Sequence, residues 1–250
     1  MKILKYKKTS NNRYEVTFDD ERVLILYEET ILKFNLLIKK EIDDDTMILL
    51  DKYNQECDVY YVALNRLKNR LQSIYDLKLF FKNREYPDEL VDKVIKKLVK
   101  QGYLNDRIFA RSYIYNQMIA TSKGPYRLEK ELLEKKVDLD IIKDELENFS
   151  EDEQIQKINK VIQKGINANH TRGGEVLKKK IFQDLKILGH DISLIRRTID
   201  LYSFENNHDI AKREYEKLYR KYSRKYHGQE LQNKIKDKLF QRGLEYDVID

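Results

Sequence analysis

The chain has one cysteine, two prolines, eight glycines, four histidines and no tryptophan among its 250 residues. A lone Cys57 excludes an internal disulfide and fits a reducing, cytoplasmic setting. It reads as a small packed residue rather than a nucleophile. With so few prolines and glycines, little interrupts helix formation. No run of 18 apolar residues occurs, so no membrane span is expected. The opening Met1-Lys2-Ile3-Leu4-Lys5-Tyr6-Lys7-Lys8 lacks a signal-peptide core, because lysine recurs every few residues.

The motifs of common chemistry are absent too. His170, His190, His208 and His227 do not pair at helical ligand spacing, and no Cys pair supports them, so no zinc or other metal site is expected. There is no Gly-x-x-x-x-Gly-Lys-Ser/Thr loop and no Gly-x-Gly-x-x-Gly turn. Thr171-Arg172-Gly173-Gly174 reads as a link between units. The carboxylates mostly stand beside Lys or Arg on helix faces, as exposed ion pairs do. The sequence therefore predicts a non-enzyme with no cofactor.

Charge is abundant: 37% of residues are charged against 41% apolar, with a net +6. That composition describes a helix-rich protein with heavily charged outer faces. The excess of positive charge permits a polyanionic partner. Residues 1–55 are slightly acidic, with Asp43-Asp44-Asp45 read as a solvated helix start, and the basic excess lies downstream.

Residues 2–7, 13–18 and 22–27 read as strands. Tyr14, Val16 and Phe18 alternate with Arg13, Glu15 and Thr17, the period of a half-buried strand. Asn11-Asn12 and Asp19-Asp20 supply the turns.

From about residue 56 the chain reads as helix after helix, and the pattern repeats. Leu77, Leu128, Ile181 and Ile235 align, each followed four residues later by Phe81, Leu132, Leu185 and Leu239. A helix end comes next, and then a second helix opening on Leu90-Val91, Ile141-Ile142, Leu194-Ile195 and Val248-Ile249. Third helices are expected near 105–121, 151–165 and 206–227, with Ser150 to Glu153 as a capping box. Gly189 and Gly243 fit the left-handed position after a helix.

The predicted fold is mainly α: an elongated, right- or left-curved solenoid of tandem three-helix repeats with a small N-terminal β element. The predicted segments are 1–55 for the strands and a helix, repeats at 56–121, 122–172 and 173–227, and a partial fourth at 228–250.

Three basic clusters stand out as candidate contacts for a partner or for DNA. The first is Arg107, Arg111, Lys123 and Arg127. The second is Lys178, Lys179 and Lys180 with Arg196 and Arg197. The third is Arg213, Lys217, Arg220 and Arg224, opposite a tyrosine stripe of Tyr215, Tyr219, Tyr222 and Tyr226. Like charges along one helix face repel unless a partner offsets them. Arg127 and Lys130 can equally pair with Glu131 and Glu134.

Two stretches carry a family resemblance. Gly102-Tyr103-Leu104-Asn105-Asp106-Arg107-Ile108-Phe109-Ala110-Arg111-Ser112-Tyr113 resembles the Gly-Tyr-Leu-Asp-Asp-x-x-Phe-Ala-x-x-Tyr signature of the RecX family of bacterial recombination regulators. Gly124-Pro125-Tyr126-Arg127-Leu128 with Glu131-Leu132 is similar to that family's Gly-x-x-Arg-hydrophobic-x-x-Glu-Leu. Asn105 stands where the signature has Asp, and Lys136 where a glycine often follows lysine.

The resemblance implies tandem three-helix repeats and no catalytic residues. It implies a protein that binds RecA, above all the RecA filament on single-stranded DNA, and limits ATP hydrolysis and strand exchange. A monomer is the default. Apolar burial accounts for Tyr103, Phe109 and Tyr113 without a partner. The alternative is a helical repeat protein that binds DNA directly and without sequence specificity.

Overall fold

The structure, a computed structural model, describes residues 1–10, 12–204 and 208–245. It divides into two units: residues 1–109 with 135–137, and residues 110–134 with 138–250.

The first unit opens with a three-stranded antiparallel sheet, β1 (Ile3–Ser10), β2 (Arg13–Phe18) and β3 (Val23–Tyr27), in sequence order. Val16 and Phe18 are buried, as the alternation predicts, and Ile3 pairs with Phe18 at the open end. The Asp19-Asp20 turn is present, whereas Asn11 lies outside the described residues. A short α1 (Glu28–Lys33) follows, then α2 (Asp44–Asn69), whose N-cap Asp43 accepts from the Thr46 amide at 2.6 Å. The sheet and the start of α2 enclose Val16, Phe18, Leu26, Ile31, Leu36, Ile42 and Leu50. Farther along, α2 shares a second core with α3 (Ile74–Lys82) and α4 (Asp88–Lys100), built on Val59, Ala63, Leu77, Phe81, Val94 and Leu98. The expected boundary at 55/56 is therefore corrected. No glycine or proline stands between 44 and 69, and one 26-residue helix runs through that point.

Helix α5 (Asp106–Ala120) leads into the second unit, which continues with α6 (Pro125–Glu134), α7 (Leu139–Leu146) and α8 (Glu151–Asn167). Then come α9 (Gly174–Ile187), α10 (Ile192–Ile199), α11 (His208–Tyr222) and α12 (Gly228–Gln241). The capping box at Ser150 and Glu153 is formed. Ile158 and Ile162 of α8 share one core with Leu177, Ile181 and Leu185 of α9 and Leu194, Ile195 and Ile199 of α10. α11 and α12 share another, around Leu218, Ile235 and Leu239. The pair Val248-Ile249, the last three-helix match of the sequence pattern, lies outside the described residues, as do 206 and 207 at the expected start of α11.

The repeat register is visible in the backbone. Glu85, Lys136, Gly189 and Gly243 all have positive φ (60°, 57°, 83° and 69°), at intervals of 51, 53 and 54 residues, the spacing found in the side chains. Each ends the helix that carries an aligned leucine or isoleucine. The packing, however, groups helices one step earlier than the expected segments. α2 joins α3 and α4, and α8 joins α9 and α10. Starting segments at 122 and 173 instead placed α8 with α6 and α7, because sequence alignment fixes a period but not its phase.

Two of the helix ends marked by positive φ receive the starts of helices from earlier in the chain. Within the second unit the Gly124 amide donates to the Leu188 carbonyl at 2.8 Å and the Tyr126 amide to the Gly189 carbonyl at 3.1 Å. The Gly173 amide donates in the same way to Arg242 at 2.7 Å. A Cβ on Gly124 would stand 2.4 Å from the Gly189 oxygen, so this approach requires glycine. In the first unit, Lys135 Nζ reaches Asp76 Oδ2 at 2.8 Å, beside the start of α3.

Candidate functional site

The signature stretch divides its labour between two helix starts. Asn105 Oδ1 accepts from the Arg107 amide at 2.9 Å and the Ile108 amide at 3.2 Å, which caps α5. Asp106 instead accepts from the Ile74 amide at 2.8 Å, at the start of α3. Burial raises the Asp106 carboxyl, the Ile74 amide opposes this, and nearby Asp76 adds to the rise. Phe109 is buried and Tyr113 donates to Glu131 at 2.8 Å, so both serve the fold as expected. Tyr103 does not: it is 58% exposed.

Most of the predicted contact cations already hold a carboxylate of this chain. Arg111 grips Glu145 on α7 with two bonds, Nε at 2.8 Å and Nη2 at 3.1 Å, and the Glu145 side chain is almost fully buried. Lys123 and Arg127 converge on Glu131, at 2.7 and 2.8 Å. Burial works to raise the Glu131 carboxyl, but its three donors, Lys123, Tyr113 and Arg127, outweigh it and hold it below the usual range. Lys178 pairs with Asp200 at 2.9 Å and Lys180 with Asp184 at 2.7 Å. Arg197 pairs with Glu151. On α11, Lys217 lies 3.6 Å from Glu214 and Arg220 lies 3.5 Å from Glu216. Arg107 is exposed on the first turn of α5.

Among the described residues, Lys179, Arg196, Arg213 and Arg224 are the predicted cations that stay exposed with no carboxylate at ion-pair distance. Arg224 also falls outside the expected helix, because α11 ends at Tyr222 and residue 224 lies in the turn that follows. Of the tyrosine stripe, Tyr215, Tyr222 and Tyr226 pack on the α11–α12 core, but Tyr219 is 47% exposed.

Two groups were not found by sequence reasoning. The first lies in the second unit. Lys157 of α8 donates to the carbonyls of Met118 and of Thr121, the latter at 2.6 Å, and so satisfies open acceptors at the end of α5. His190, buried beside Gly189, makes a 2.9 Å bond with the Ser122 carbonyl. The second lies in the first unit, where Arg66 and Arg84 stack on Phe80 at 3.8 and 3.9 Å with Arg70 nearby. Arg66 and Arg70 stand at helical spacing, which sequence can show. Nothing in the sequence places Arg84 against them.

Cys57 is buried, and burial pushes its thiol up, away from a reactive thiolate. Among the described residues no group of three His, Cys, Asp or Glu is placed to hold a metal, and no helix is long and apolar enough to cross a membrane. The geometry offers exposed cations on short, well-anchored helices. That arrangement suits a binding surface.

Residues 105–146 match the family model described as RecX, second three-helix domain, and residues 205–250 match RecX, third three-helix domain. The first match spans α5, α6 and α7, a phase that opens a unit on α5 as the packing opens one on α8. The chain is 29% identical to the regulatory protein RecX of Lactococcus lactis over 242 residues, covering 93% of this chain and 88% of the relative. It is 28% identical to that of Bacillus subtilis over 249 residues, covering 98% and 94%. A crystal structure of regulatory protein RecX superposes with a TM-score of 0.70 at 23% identity, over 80% of this chain and 98% of that one. The RecX structure from Lactobacillus salivarius gives 0.55 at 24%, over 60% and 99%. These two likenesses concern the fold.

Proposed function

Because the chain belongs to the RecX family, we propose that it regulates recombination by binding RecA, and above all the RecA filament on single-stranded DNA, lowering ATP hydrolysis and strand exchange. The relatives are named as regulatory proteins, and none of those cited is named as an enzyme. The observation that carries the reading is the run of helix ends at Glu85, Lys136, Gly189 and Gly243. It marks the tandem three-helix repeats that the family resemblance implies. In this reading α2–α4, α5–α7 and α8–α10 are the repeat units, and α11 begins the next.

The ion pairs narrow the contact surface. Forming a new contact with a cation that already holds a carboxylate first breaks the internal pair. Lys179, Arg196 and Arg213 carry no such cost and are the contacts proposed here. Arg111, Lys123 and Arg127 serve the fold first. The test is co-sedimentation with RecA filaments on single-stranded DNA. The triple variant Lys179→Glu, Arg196→Glu, Arg213→Glu loses binding while its circular dichroism stays that of the parent. Undiminished binding by that variant contradicts the proposed surface.

The second reading, direct DNA binding without a protein partner, draws on the same exposed cations. It requires affinity for DNA alone that falls steeply with salt, with a slope set by the phosphates neutralised.

A further inference from the structure

The arginine–phenylalanine group of the first unit has no role in the account above. Phe80, on α3, is half-buried, and the guanidinium carbons of Arg66 and Arg84 lie 3.8 and 3.9 Å from its ring centre. Two planar guanidinium groups at that distance do not fit on one ring face, so the ring is held between them. Arg66 is further fixed by a 2.7 Å bond from Nε to the oxygen of Gln72, a buried residue. Arg70, the C-cap of α2, stands one helical turn beyond Arg66. Together with Asn69 and Tyr86 these side chains line a cleft of about 430 Å³.

None of the three arginines has a carboxylate of the chain at ion-pair distance among the described residues. The nearby acids are taken elsewhere: Asp58 by Arg13, Tyr27 and Tyr86, and Asp76 by Lys135. Burial lowers the affinity of Arg66 for its proton, Arg70 and Arg84 lower it further by repulsion, and Asp76 opposes this without reversing it. Three guanidiniums gathered without an anion are a recognition site for one.

We propose that this cleft binds the phosphate backbone of a single-stranded nucleic acid, with a base stacked on the outer face of Arg66 or Arg84. Guanidinium forks match phosphate in two bonds at once, and a guanidinium plane is a platform for an unpaired base. A carboxylate-bearing peptide satisfies the charge but makes no use of the stacked planes. A duplex keeps its bases inside and cannot seat a flexible backbone in a cleft of this size. Asn69, and Asn65 at the rim shared with the neighbouring cleft, add neutral donors and acceptors for base edges. The inference does not depend on RecA, since every residue in it belongs to this chain.

The test is fluorescence anisotropy of the full chain, with no other protein, on labelled oligothymidylate and on a duplex of equal length, at several salt concentrations. The parent binds the single strand more tightly than the duplex. Arg66→Gln, Arg70→Gln, Arg84→Gln together weaken single-strand binding by about tenfold or more and make the log–log salt slope shallower by about 2, the share of three phosphates. Arg84→Lys keeps the salt slope but weakens binding, because the charge remains and the stacked plane is lost. Arg70→Glu, at an exposed helix end, weakens binding without touching the Phe80 stack, and so reads the site even where the triple variant is poorly folded. Single-strand affinity unchanged in Arg70→Glu and in a folded triple variant overturns the proposal, as does equal loss on single strand and duplex. Neither result bears on co-sedimentation with RecA filaments, which is lost through Lys179, Arg196 and Arg213 instead.

Discussion

Gly124 and Gly189 meet backbone to backbone. A Cβ added to Gly124 would lie 2.4 Å from the Gly189 oxygen, and one added to Gly189 would lie 2.3 Å from the Arg127 amide nitrogen. The start of α6 is thereby seated on the end of α9, sixty-odd residues later in the chain. Gly189 carries a second demand, a φ of +83°.

Gly124→Ala therefore costs about 1–3 kcal/mol through overpacking. Gly102→Ala meets nothing within 4 Å and pays only for its φ of +77°, about 1 kcal/mol. Chemical unfolding followed by circular dichroism separates the two, and equal losses contradict the close contact.

Lys136 occupies the same left-handed position as Gly189 and Gly243, with φ +57°. A lysine there bears a strain that glycine does not. Lys136→Gly is expected to raise stability by about 1 kcal/mol, less the entropy that glycine adds to the unfolded chain. A clear loss of stability indicates that the Lys136 side chain contributes more than its backbone strain removes.

His190 makes stability depend on pH. Burial lowers its affinity for a proton; the Ser122 carbonyl opposes this and nearby Lys157 adds to it, leaving the imidazole below its ordinary 6.5. Its Nδ1 is buried with no hydrogen-bond partner among the described residues. The unfolded chain therefore takes up a proton near pH 6.5 that the folded chain refuses. Stability from this residue is full above that pH and declines as the pH falls below it, until the folded imidazole also protonates. Melting temperatures measured from pH 7.5 downward are expected to fall less steeply in His190→Asn. A parallel decline in both proteins removes His190 as the cause.

Arg111 and Glu145 form a pair in which one partner is exposed and the other is not, with side-chain exposures of 68% and 2%. Removing Arg111 takes two charge-assisted hydrogen bonds away from a buried carboxylate. Arg111→Ala lowers the melting temperature, and adding Glu145→Gln to it recovers part of the loss. A double variant no better than Arg111→Ala alone shows that the pair carries no coupling.

The repeat was legible because it rests on a period. Leucine and isoleucine recur where helices bury one face, and glycine marks two of the four repeated helix ends, Gly189 and Gly243. The strands were legible from the alternation of Tyr14, Val16 and Phe18 with polar residues. The phase of the repeat was not, since an alignment of Leu77, Leu128, Ile181 and Ile235 is equally valid whichever helix opens the unit. A boundary near 55/56 is not legible in the sequence, because helical patterning does not show that α2 belongs to both cores. The contact surface was least legible. Whether a basic side chain is paired depends on carboxylates far away in sequence, as Arg111 meets Glu145 and Arg197 meets Glu151. The grip on Phe80 needs Arg84 folded back against α2, which no local pattern specifies.

The most direct measurement is the ATPase rate of RecA on single-stranded DNA, titrated with this protein. A fall in rate at amounts below one per RecA protomer is the predicted result, and Lys179→Glu, Arg196→Glu, Arg213→Glu together are expected to abolish it. An unchanged rate at saturating protein, with binding to single-stranded DNA retained, contradicts the account and leaves a DNA-binding repeat protein in its place.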